Sequence, residues 1–395
     1  MTDHSRAWSI AWALAVTETI SYGILFYSYG IFIKPMESEL GFSRAQTSAA
    51  FSIALLVAGL AAIPVGQWVD KHGARGVMTL GSILGSILIL AWSQIYSLSA
   101  LYLVWLGMGL AMSAVFYETA FTVIAVWFQQ DRQRAMLTIT LVAGLASTIF
   151  IPLETYLVSW LGWRQALVVL SALLALVTIP LHAIILRHKP RELIPFPSTP
   201  SAKTTLQSST FWWLVLSIAM VRIAASAMSA HSVPLLLERG YSSALAATLA
   251  GSIGLMQLLG RIFFTPMTSK NSLFTLAIWT FAIHALGLAM LFLPGTWSVW
   301  AFVLFFGASN GAITLARAGL LADIYGPKHY GQLSGVMSFA VSITGAFAPV
   351  VAGTLHDISG NYTIMLVVLV LTTLCSVGMM YRVKYRANIK LGRNL

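Results

Sequence analysis

The sequence predicts an all-α integral membrane protein with twelve transmembrane helices in two parallel six-helix repeats. The first observation is composition: of 395 residues, 58% are hydrophobic and only 9% are charged, with a mean hydropathy of +0.82. A soluble domain is about 25% charged, so this chain cannot cover a surface that faces water. The second observation is length, because a membrane helix takes about 20 residues and the chain therefore accommodates about a dozen. Together they exclude a soluble enzyme, a DNA-binding domain and a disulfide-rich secreted domain.

Apolar runs bounded by charge, proline or glycine define the individual helices. The predicted ranges are 8–35, 45–69, 76–95, 100–128, 135–159, 165–186, 211–237, 244–267, 272–293, 298–325, 332–355 and 363–383. The one long polar connection, 187–210, is rich in Pro, Ser and Thr. It divides the chain into a predicted N-terminal bundle, 1–186, a cytoplasmic linker, and a C-terminal bundle with a short cytoplasmic tail, 211–395.

The turn after the first helix of each half repeats in sequence. Glu39-Leu40-Gly41-Phe42-Ser43 recurs as Glu238-Arg239-Gly240-Tyr241-Ser242, at an offset of 199 residues. An even number of helices per repeat gives both halves the same orientation, so the repeats are predicted to be parallel. Parallel six-helix repeats are a transporter architecture in which the substrate site lies at the repeat interface.

The distribution of basic residues predicts orientation. Of the 23 Lys and Arg residues, sixteen fall on the side that carries both termini, and four fall on the opposite side: Lys34, Arg44, Arg164 and Arg239. The positive-inside rule places the richer side in the cytoplasm. The net charge of +11 is therefore interpreted as membrane topology rather than nucleic-acid binding. We expect a monomeric, multi-pass protein of the cell inner (plasma) membrane, embedded in the lipid bilayer, with both termini in the cytoplasm.

The loop between predicted helices 2 and 3 has a distinctive pattern of glycine and charge. It reads Gly66-Gln67-Trp68-Val69-Asp70-Lys71-His72-Gly73-Ala74-Arg75 and resembles the signature loop of the major facilitator superfamily. The resemblance implies a cytoplasmic gate formed by Gly66, Asp70, Lys71, Gly73 and Arg75. In it, Gly66 allows close helix approach and Asp70 pairs with a basic group of the other half. The alternative interpretation is a simple positively charged cytoplasmic loop.

Shorter stretches are similar to the bacterial monocarboxylate porters and oxalate–formate antiporters of that superfamily. They are Ser21-Tyr22-Gly23 to Gly30-Ile31-Phe32, Leu161-Gly162-Trp163-Arg164, Gly260-Arg261-Ile262-Phe263, and His356-Asp357-Ile358-Ser359-Gly360-Asn361-Tyr362. The resemblance implies that Arg261 in helix 8 contacts a substrate carboxylate; a gate residue near the end of helix 8 is the alternative. The sequence departs from the family at Gln257, where an acidic residue is expected, and has no basic residue in helix 11.

Four ionisable residues are predicted near the middle of the bilayer. Glu18, Glu118 and Arg222 lie ten or eleven residues from the cytoplasmic ends of their predicted helices, which is about 15 Å at about 1.5 Å per residue. Arg317 follows Glu118 by 199 residues, the offset of the repeat. A charge at this depth costs about 2.5–3.5 kcal/mol on insertion scales and marks a functional site by default.

Two interpretations of these charges remain open. In the first, Arg222 and Arg317 attract an anionic substrate, while Glu18 and Glu118 carry protons or balance charge. In the second, the four residues form permanent ion pairs that hold the halves in register.

Further candidates have alternative interpretations. His231 is either a proton relay or a group that caps a core hydrogen bond. Tyr22, Tyr27 and Tyr117 are either hydroxyl donors at the site or packing residues. Glu154, which follows Pro152, is expected in a vestibule near the outer end of helix 5.

These features predict a secondary active transporter of small organic anions (carboxylates), coupled to protons, that works by alternating access. We expect no enzyme activity, no cofactor and no metal, since Cys375 is the sole cysteine and no Gly-Lys-Ser/Thr phosphate loop occurs. The competing class is a proton-driven exporter of drugs or metabolites. Superfamily exporters carry a Gly-x-x-x-Gly-Pro-x-x-Gly-Gly pattern in helix 5, which the stretch 144–152 lacks.

Overall fold

The structure is a computed structural model that describes residues 3–128, 131–186, 207–267, 272–325 and 330–390. These residues are almost entirely helical and contain no strand. Twelve helices within them are long and apolar enough to cross a membrane, which confirms the predicted fold class. Most of the predicted linker, 187–206, lies outside the described residues, as does the end of the tail, 391–395.

The first six membrane helices are numbered α1–α6. Helix α1 joins Asp3–Ser21, a π-helical segment Tyr22–Tyr27 and Ser28–Leu40; α2 is Arg44–His72; α3 is Ala74–Trp92; α4 joins Leu98–Val115 and Tyr117–Trp127; α5 joins Arg132–Ala143 and Ala146–Leu161; α6 joins Trp163–Pro180 and a π-helical segment Leu181–Ile185.

The remaining six helices are each continuous. Helix α7 is Ser209–Glu238, α8 is Ser243–Met267, α9 is Leu273–Met290, α10 is Thr296–Tyr325, α11 is Tyr330–Ser359 and α12 is Thr363–Lys390. The predicted ranges match these helices, except that several ends extend by a turn or more and that α3 and α9 end three residues earlier than predicted. Helix α12, for example, continues past its predicted end at residue 383.

The chain divides into two compact units. Unit 1 comprises Met1–Leu193, Ser229–Gly254 and Pro349–Asp357, and unit 2 comprises Ile194–Met228, Leu255–Ala348 and Ile358–Leu395. Helices α7, α8 and α11 therefore contribute a segment to each unit. The division into moving bundles 1–186 and 211–395 stays a prediction.

Each unit has its own apolar core. In unit 1, buried side chains of α1, including Ile10 and Leu14, pack with Ile124 of α4 and Ile139 of α5. In unit 2, all six helices α7–α12 contribute to a second cluster that includes Phe211, Phe281 and Leu320.

The repeated turn has the same geometry in both halves. Gly41 and Gly240 adopt left-handed φ values of 69° and 84°, which glycine reaches without a Cβ penalty. Ser43 then caps α2 by accepting a hydrogen bond from the Gln46 amide at 3.2 Å. Ser242 caps α8 in the same way, from the Leu245 amide at 3.4 Å. The sequence repeat is therefore also a repeat of local structure.

Helices α1 and α4 depart from the continuous helices that the sequence predicts. The π-helical segment of α1 brings Gly23 against the ring of Phe150 on α5, where a Cβ would overlap the ring. Helix α4 breaks at Phe116, whose backbone is extended (φ −88°, ψ −179°). Such irregular segments within helices are often found at functional sites.

Candidate substrate and proton sites

Glu18 is fully buried within unit 1. Its side chain is 0% exposed, and neither carboxyl oxygen has a hydrogen-bond partner among the described residues. Glu118 is close enough to influence Glu18 electrostatically. Because an unpaired buried carboxylate is costly, Glu18 is suited to hold a proton.

Glu118 is exposed and lies in the first turn of the second α4 segment, directly after the break at Phe116. Free backbone N–H groups at such a helix start favour negative charge. The break therefore gives Glu118 an environment that differs from that of Glu18, although both lie in unit 1.

Aromatic rings surround the two carboxyl groups. Tyr22 stacks on Phe116 with ring centroids 4.0 Å apart and lies 4.8 Å from Tyr117. Glu18 and Glu118 both influence Tyr22 electrostatically. Tyr27 lies at the end of the π-helical segment, with its ring 5.1 Å from Phe26. The structure thus brings Tyr22 and Tyr117 together with both glutamates.

The predicted arginines of α7 and α10 lie in unit 2. Arg222 is half-buried, and its Nη1 donates to Oδ1 of Asn310 at 2.8 Å. Arg317 is also half-buried and donates to the Ser338 hydroxyl on α11. Asn310 and Ser338 were not singled out from the sequence. Glu118 and Arg317 belong to different units, and their pairing stays a prediction.

Arg261 is half-buried on the unit 2 segment of α8. The neighbouring Gly260 faces the backbone of Ala308 on α10, and Gly311 faces the backbone of Gln257, so a Cβ at either glycine would overlap main-chain atoms. Gly260 and Gly311 therefore allow α8 and α10 to pack closely beside Arg261.

The predicted cytoplasmic gate is described in part. Gly73 has a φ of 80° and forms the turn between α2 and α3, and Arg75 is exposed. Among the described residues, a Cβ at Gly66 would meet no atom within 4 Å, and the close helix approach expected there stays a prediction. The side chains of Asp70 and Lys71 lie outside the described part of the chain.

A charged network at the end of unit 1 opposite the predicted cytoplasmic gate was not anticipated from the sequence. We call this the outer end, after its predicted orientation. Arg44 is 5% exposed and donates to both carboxyl oxygens of Glu37, with Nε–Oε1 and Nη2–Oε2 distances of 2.7 and 2.8 Å. Its Nη1 lies 3.7 Å from Glu238, which contacts His356 at 3.0 Å. Asp357 accepts from the Ala45 amide at the start of α2, at 2.9 Å.

His231 lies beside this network rather than beside Glu18 and Glu118. It is 0% exposed, and its Nε2 lies 3.0 Å from the carbonyl oxygen of Pro349 and 3.4 Å from the Ser48 hydroxyl. A carbonyl only accepts, so Nε2 carries a proton that it donates to Pro349. The geometry fits a core hydrogen bond between α7 and α11; a relay role stays a prediction.

Arg164, in the first turn of α6, joins the end of α1 to the connection between α3 and α4. Its Nε donates to Glu39 at 2.9 Å, and its Nη1 and Nη2 donate to the carbonyl oxygens of Ser93 and Ile95 at 2.6 and 2.9 Å. The guanidinium also lies 4.3 Å from the ring centroids of both Tyr96 and Trp163. The Leu161–Arg164 motif therefore has a structural explanation.

Glu154 does not lie in a vestibule. It is 0% exposed on α5, and neither carboxyl oxygen has a hydrogen-bond partner among the described residues. The expectation was wrong because it used only the distance of Glu154 from the helix end and not the packing of α5.

Comparison with known proteins identifies the family. A sequence profile of the Major Facilitator Superfamily matches residues 19–314. The chain belongs to this superfamily. It is 23% identical to the MFS-type transporter YcxA of Bacillus subtilis over 86% of each chain. It is 25% identical to monocarboxylate transporter 13 of Bos taurus, over 93% of this chain and 86% of the relative.

Solved structures agree on the fold of the superfamily. A bacterial homologue of the human lysosomal transporter Spinster aligns over 97% of this chain and 96% of its own, with a TM-score of 0.73 and 17% identity. The nucleoside transporter NupG (D323A mutant) aligns over 94% of this chain and 99% of its own, with a TM-score of 0.73 and 14% identity. The protein is thus a multi-pass transporter of the major facilitator superfamily, not an enzyme.

Sequence reasoning missed the outer-end network and Arg164, although a signal for both exists. Only four basic residues fall on the predicted outer side, where the positive-inside rule disfavours them. Two of the four, Arg44 and Arg164, prove to be the centres of these hydrogen-bonded groups. A basic residue that opposes the topology rule is therefore a useful indicator of a specific structural role.

Proposed function

We propose that this superfamily member transports small carboxylates coupled to protons across the cell inner membrane. The observation that carries the proposal is the pair of half-buried arginines, Arg222 on α7 and Arg317 on α10, each hydrogen-bonded to a neutral polar side chain. Guanidinium groups match the planar geometry of a carboxylate and bind it with two parallel hydrogen bonds. The monocarboxylate transporters among the relatives support the same substrate class.

Proton coupling is assigned to Glu118 of unit 1. Glu118 is exposed, whereas Glu18 is buried and unpaired. In the proposed cycle, Glu118 pairs with Arg317 in the empty protein. The substrate carboxylate replaces Glu118 as the partner of Arg317, and Glu118 then takes up a proton because its anion is less stabilised. Substrate binding and proton binding are thereby linked.

Transport proceeds by alternating access. The predicted bundles 1–186 and 211–395 rock about the central site, and the linker 187–210 tethers them. Asp70 of the signature loop closes the cytoplasmic side by pairing with a basic group of the other bundle. Arg261 on α8 assists carboxylate binding from unit 2.

The test is uptake by the purified protein in proteoliposomes. We expect accumulation of at least one labelled mono- or dicarboxylate, stimulated by a pH gradient that is acidic outside. A panel of nucleosides and cationic drugs serves as the comparison. Uptake of cations or neutral drugs with no carboxylate transported would overturn the proposal.

A further inference from the structure

A buried carboxyl group outside the proposed substrate site requires an explanation. Glu154 lies on α5 within unit 1, two helical turns beyond Ser147, and the 147/151/154 spacing places these residues on one face of the helix. Both of its oxygens are inaccessible and have no hydrogen-bond partner among the described residues. Neither the signature loop nor the proposed coupling residues account for it.

The face of α5 that carries Glu154 packs tightly against α8. Thr148 donates to the carbonyl oxygen of Gly251 at 2.8 Å, and a Cβ at Gly254 would overlap the Ser147 hydroxyl. We call this contact between residues 144–154 of α5 and 243–254 of α8 the α5–α8 seam. Because the helices run antiparallel, Glu154 falls near the level of Ala246 and Ala247, both buried. On the α8 side, the residues at this level are therefore small and apolar.

Among the described residues, no charged partner compensates Glu154. The 243–254 stretch of α8 contains no titratable side chain. On the other elements packed against α5, the titratable side chains include Glu18, Tyr22, Tyr27, Tyr29, Lys34, Glu37 and Glu39 on α1, with Arg164 and His182 on α6. In the described part of the chain, none of these hydrogen-bonds to Glu154 or pairs with it. A carboxylate buried in this way is strongly disfavoured, whereas the neutral acid is tolerated.

We propose that Glu154 is a second proton-binding site, protonated while the α5–α8 seam is packed and deprotonated when the seam parts. On parting, the O–H bond of the carboxyl breaks, and the proton passes to water that enters the seam. Repacking requires the proton to return, so closure of the seam becomes more favourable as the pH falls. The proposal does not depend on which substrate is carried.

Infrared spectroscopy of the full-length protein in liposomes tests this site directly. A protonated carboxyl has a C=O stretch that is distinct from carboxylate bands. We expect C=O intensity at pH 7 from protonated Glu18 and Glu154 together. Glu154→Gln should remove one component of this band, and the matched variant Glu118→Gln should retain that component. An unchanged band in Glu154→Gln would overturn the proposal.

Labelling of the unmodified protein provides a measurement that no folding defect can affect. An uncharged carbodiimide reacts with protonated carboxyl groups in apolar surroundings. Mass spectrometry should find the adduct on Glu154 and none on the solvent-accessible Asp131. If the reagent modifies Glu18 at pH 5 to 7 but leaves Glu154 unmodified, the result counts against a protonated Glu154.

The link to seam opening has its own test. The Ser52 hydroxyl accepts from the Val350 amide at 3.1 Å, so a Ser52→Cys/Val350→Cys pair in a Cys375→Ala background can lock the outer end with a disulfide. When the cysteine pair is oxidised to the disulfide, the infrared band of protonated Glu154 should persist to higher pH than when the pair is reduced. Identical titrations in the two states would show that protonation of Glu154 is independent of opening.

Discussion

Two glutamates of unit 1 share one electrostatic neighbourhood but differ in access. Glu18 is enclosed, whereas Glu118 starts a helix segment and is exposed. The Glu118 side chain is accessible from outside the packed helices, while that of Glu18 is not. Glu118 is therefore the better candidate for exchange with the transport pathway, and Glu18 for a group that stays neutral.

This distinction leads to a prediction for the charged pair. Arg317→Ala should abolish transport, because the substrate carboxylate loses its guanidinium partner. Glu118→Gln should retain substrate exchange and lose the response to a pH gradient. Counterflow and gradient-driven uptake in proteoliposomes separate these two activities.

Glu18→Gln is the matched control, since it also removes one acid from the same cluster. We expect it to retain gradient-driven uptake. If Glu118→Gln still concentrates substrate under a proton-motive force, Glu118 is not the coupling residue and its charge has a structural role.

At the scale of elements, Arg164 at the start of α6 joins the end of α1 to the connection between α3 and α4. The side chain is 20% exposed and uses three nitrogens in a fixed plane. Arg164→Ala should lower the free energy of unfolding by about 2–4 kcal/mol, since hydrogen bonds to charged groups contribute about 1.5–3 kcal/mol each. Thermal unfolding in detergent measures the loss.

Arg164→Lys should recover little of this stability, because an ammonium group cannot reach both carbonyl oxygens and Glu39 in one geometry. Arg134→Ala is the control, as Arg134 forms an exposed pair with Asp131 at 3.9 Å. A lysine variant as stable as the native protein would show that only the charge matters.

The contact between Gly23 and Phe150 predicts a paired effect. Gly23→Ala should destabilise the protein by about 1–3 kcal/mol, because the added methyl group overlaps the Phe150 ring. The double variant Gly23→Ala/Phe150→Leu should be less destabilised than the sum of the two single variants. Additive effects in thermal unfolding would mean that α1 and α5 do not meet at this point.

At the scale of the whole molecule, the charged network at the outer end joins helices that are distant in sequence through hydrogen bonds and ion pairs. Arg44 on α2 contacts Glu238 from the end of α7, and Asp357 from α11 caps α2. Arg44→Ala leaves Glu37 and Glu238 without their shared cation, and breaking a buried pair costs about 3–5 kcal/mol. The outer end should therefore open more often.

Cysteine labelling measures this opening. Ser48 is buried beside His231, so Ser48→Cys in a Cys375→Ala background should react slowly with a membrane-impermeant maleimide. Adding Arg44→Ala should accelerate the reaction, while adding Arg134→Ala should not. Equal labelling rates in all three proteins would show that the network does not hold the outer end closed.

The number and order of the helices could be predicted from sequence because hydrocarbon requires long apolar runs that satisfy their own hydrogen bonds. The π-helical segment at Tyr22 and the break at Phe116 could not, since both lie in uninterrupted apolar runs and are decided by packing. Burial of Glu154 was missed for the same reason. The sequence placed Glu18, Glu118, Arg222 and Arg317 near the middle of the bilayer, but could not distinguish the buried acid from the exposed one.

The repeated glycine–serine turn has a consequence for biogenesis. Its hydrogen bonds join residues only three to five positions apart, at Gly41–Ser43 and again at Gly240–Ser242. Neither turn needs a partner from elsewhere in the chain to close. The first helical hairpin of each half can therefore form while the ribosome is still synthesising the later helices. Each half begins its insertion with a preformed pair of helices, against which its remaining helices assemble.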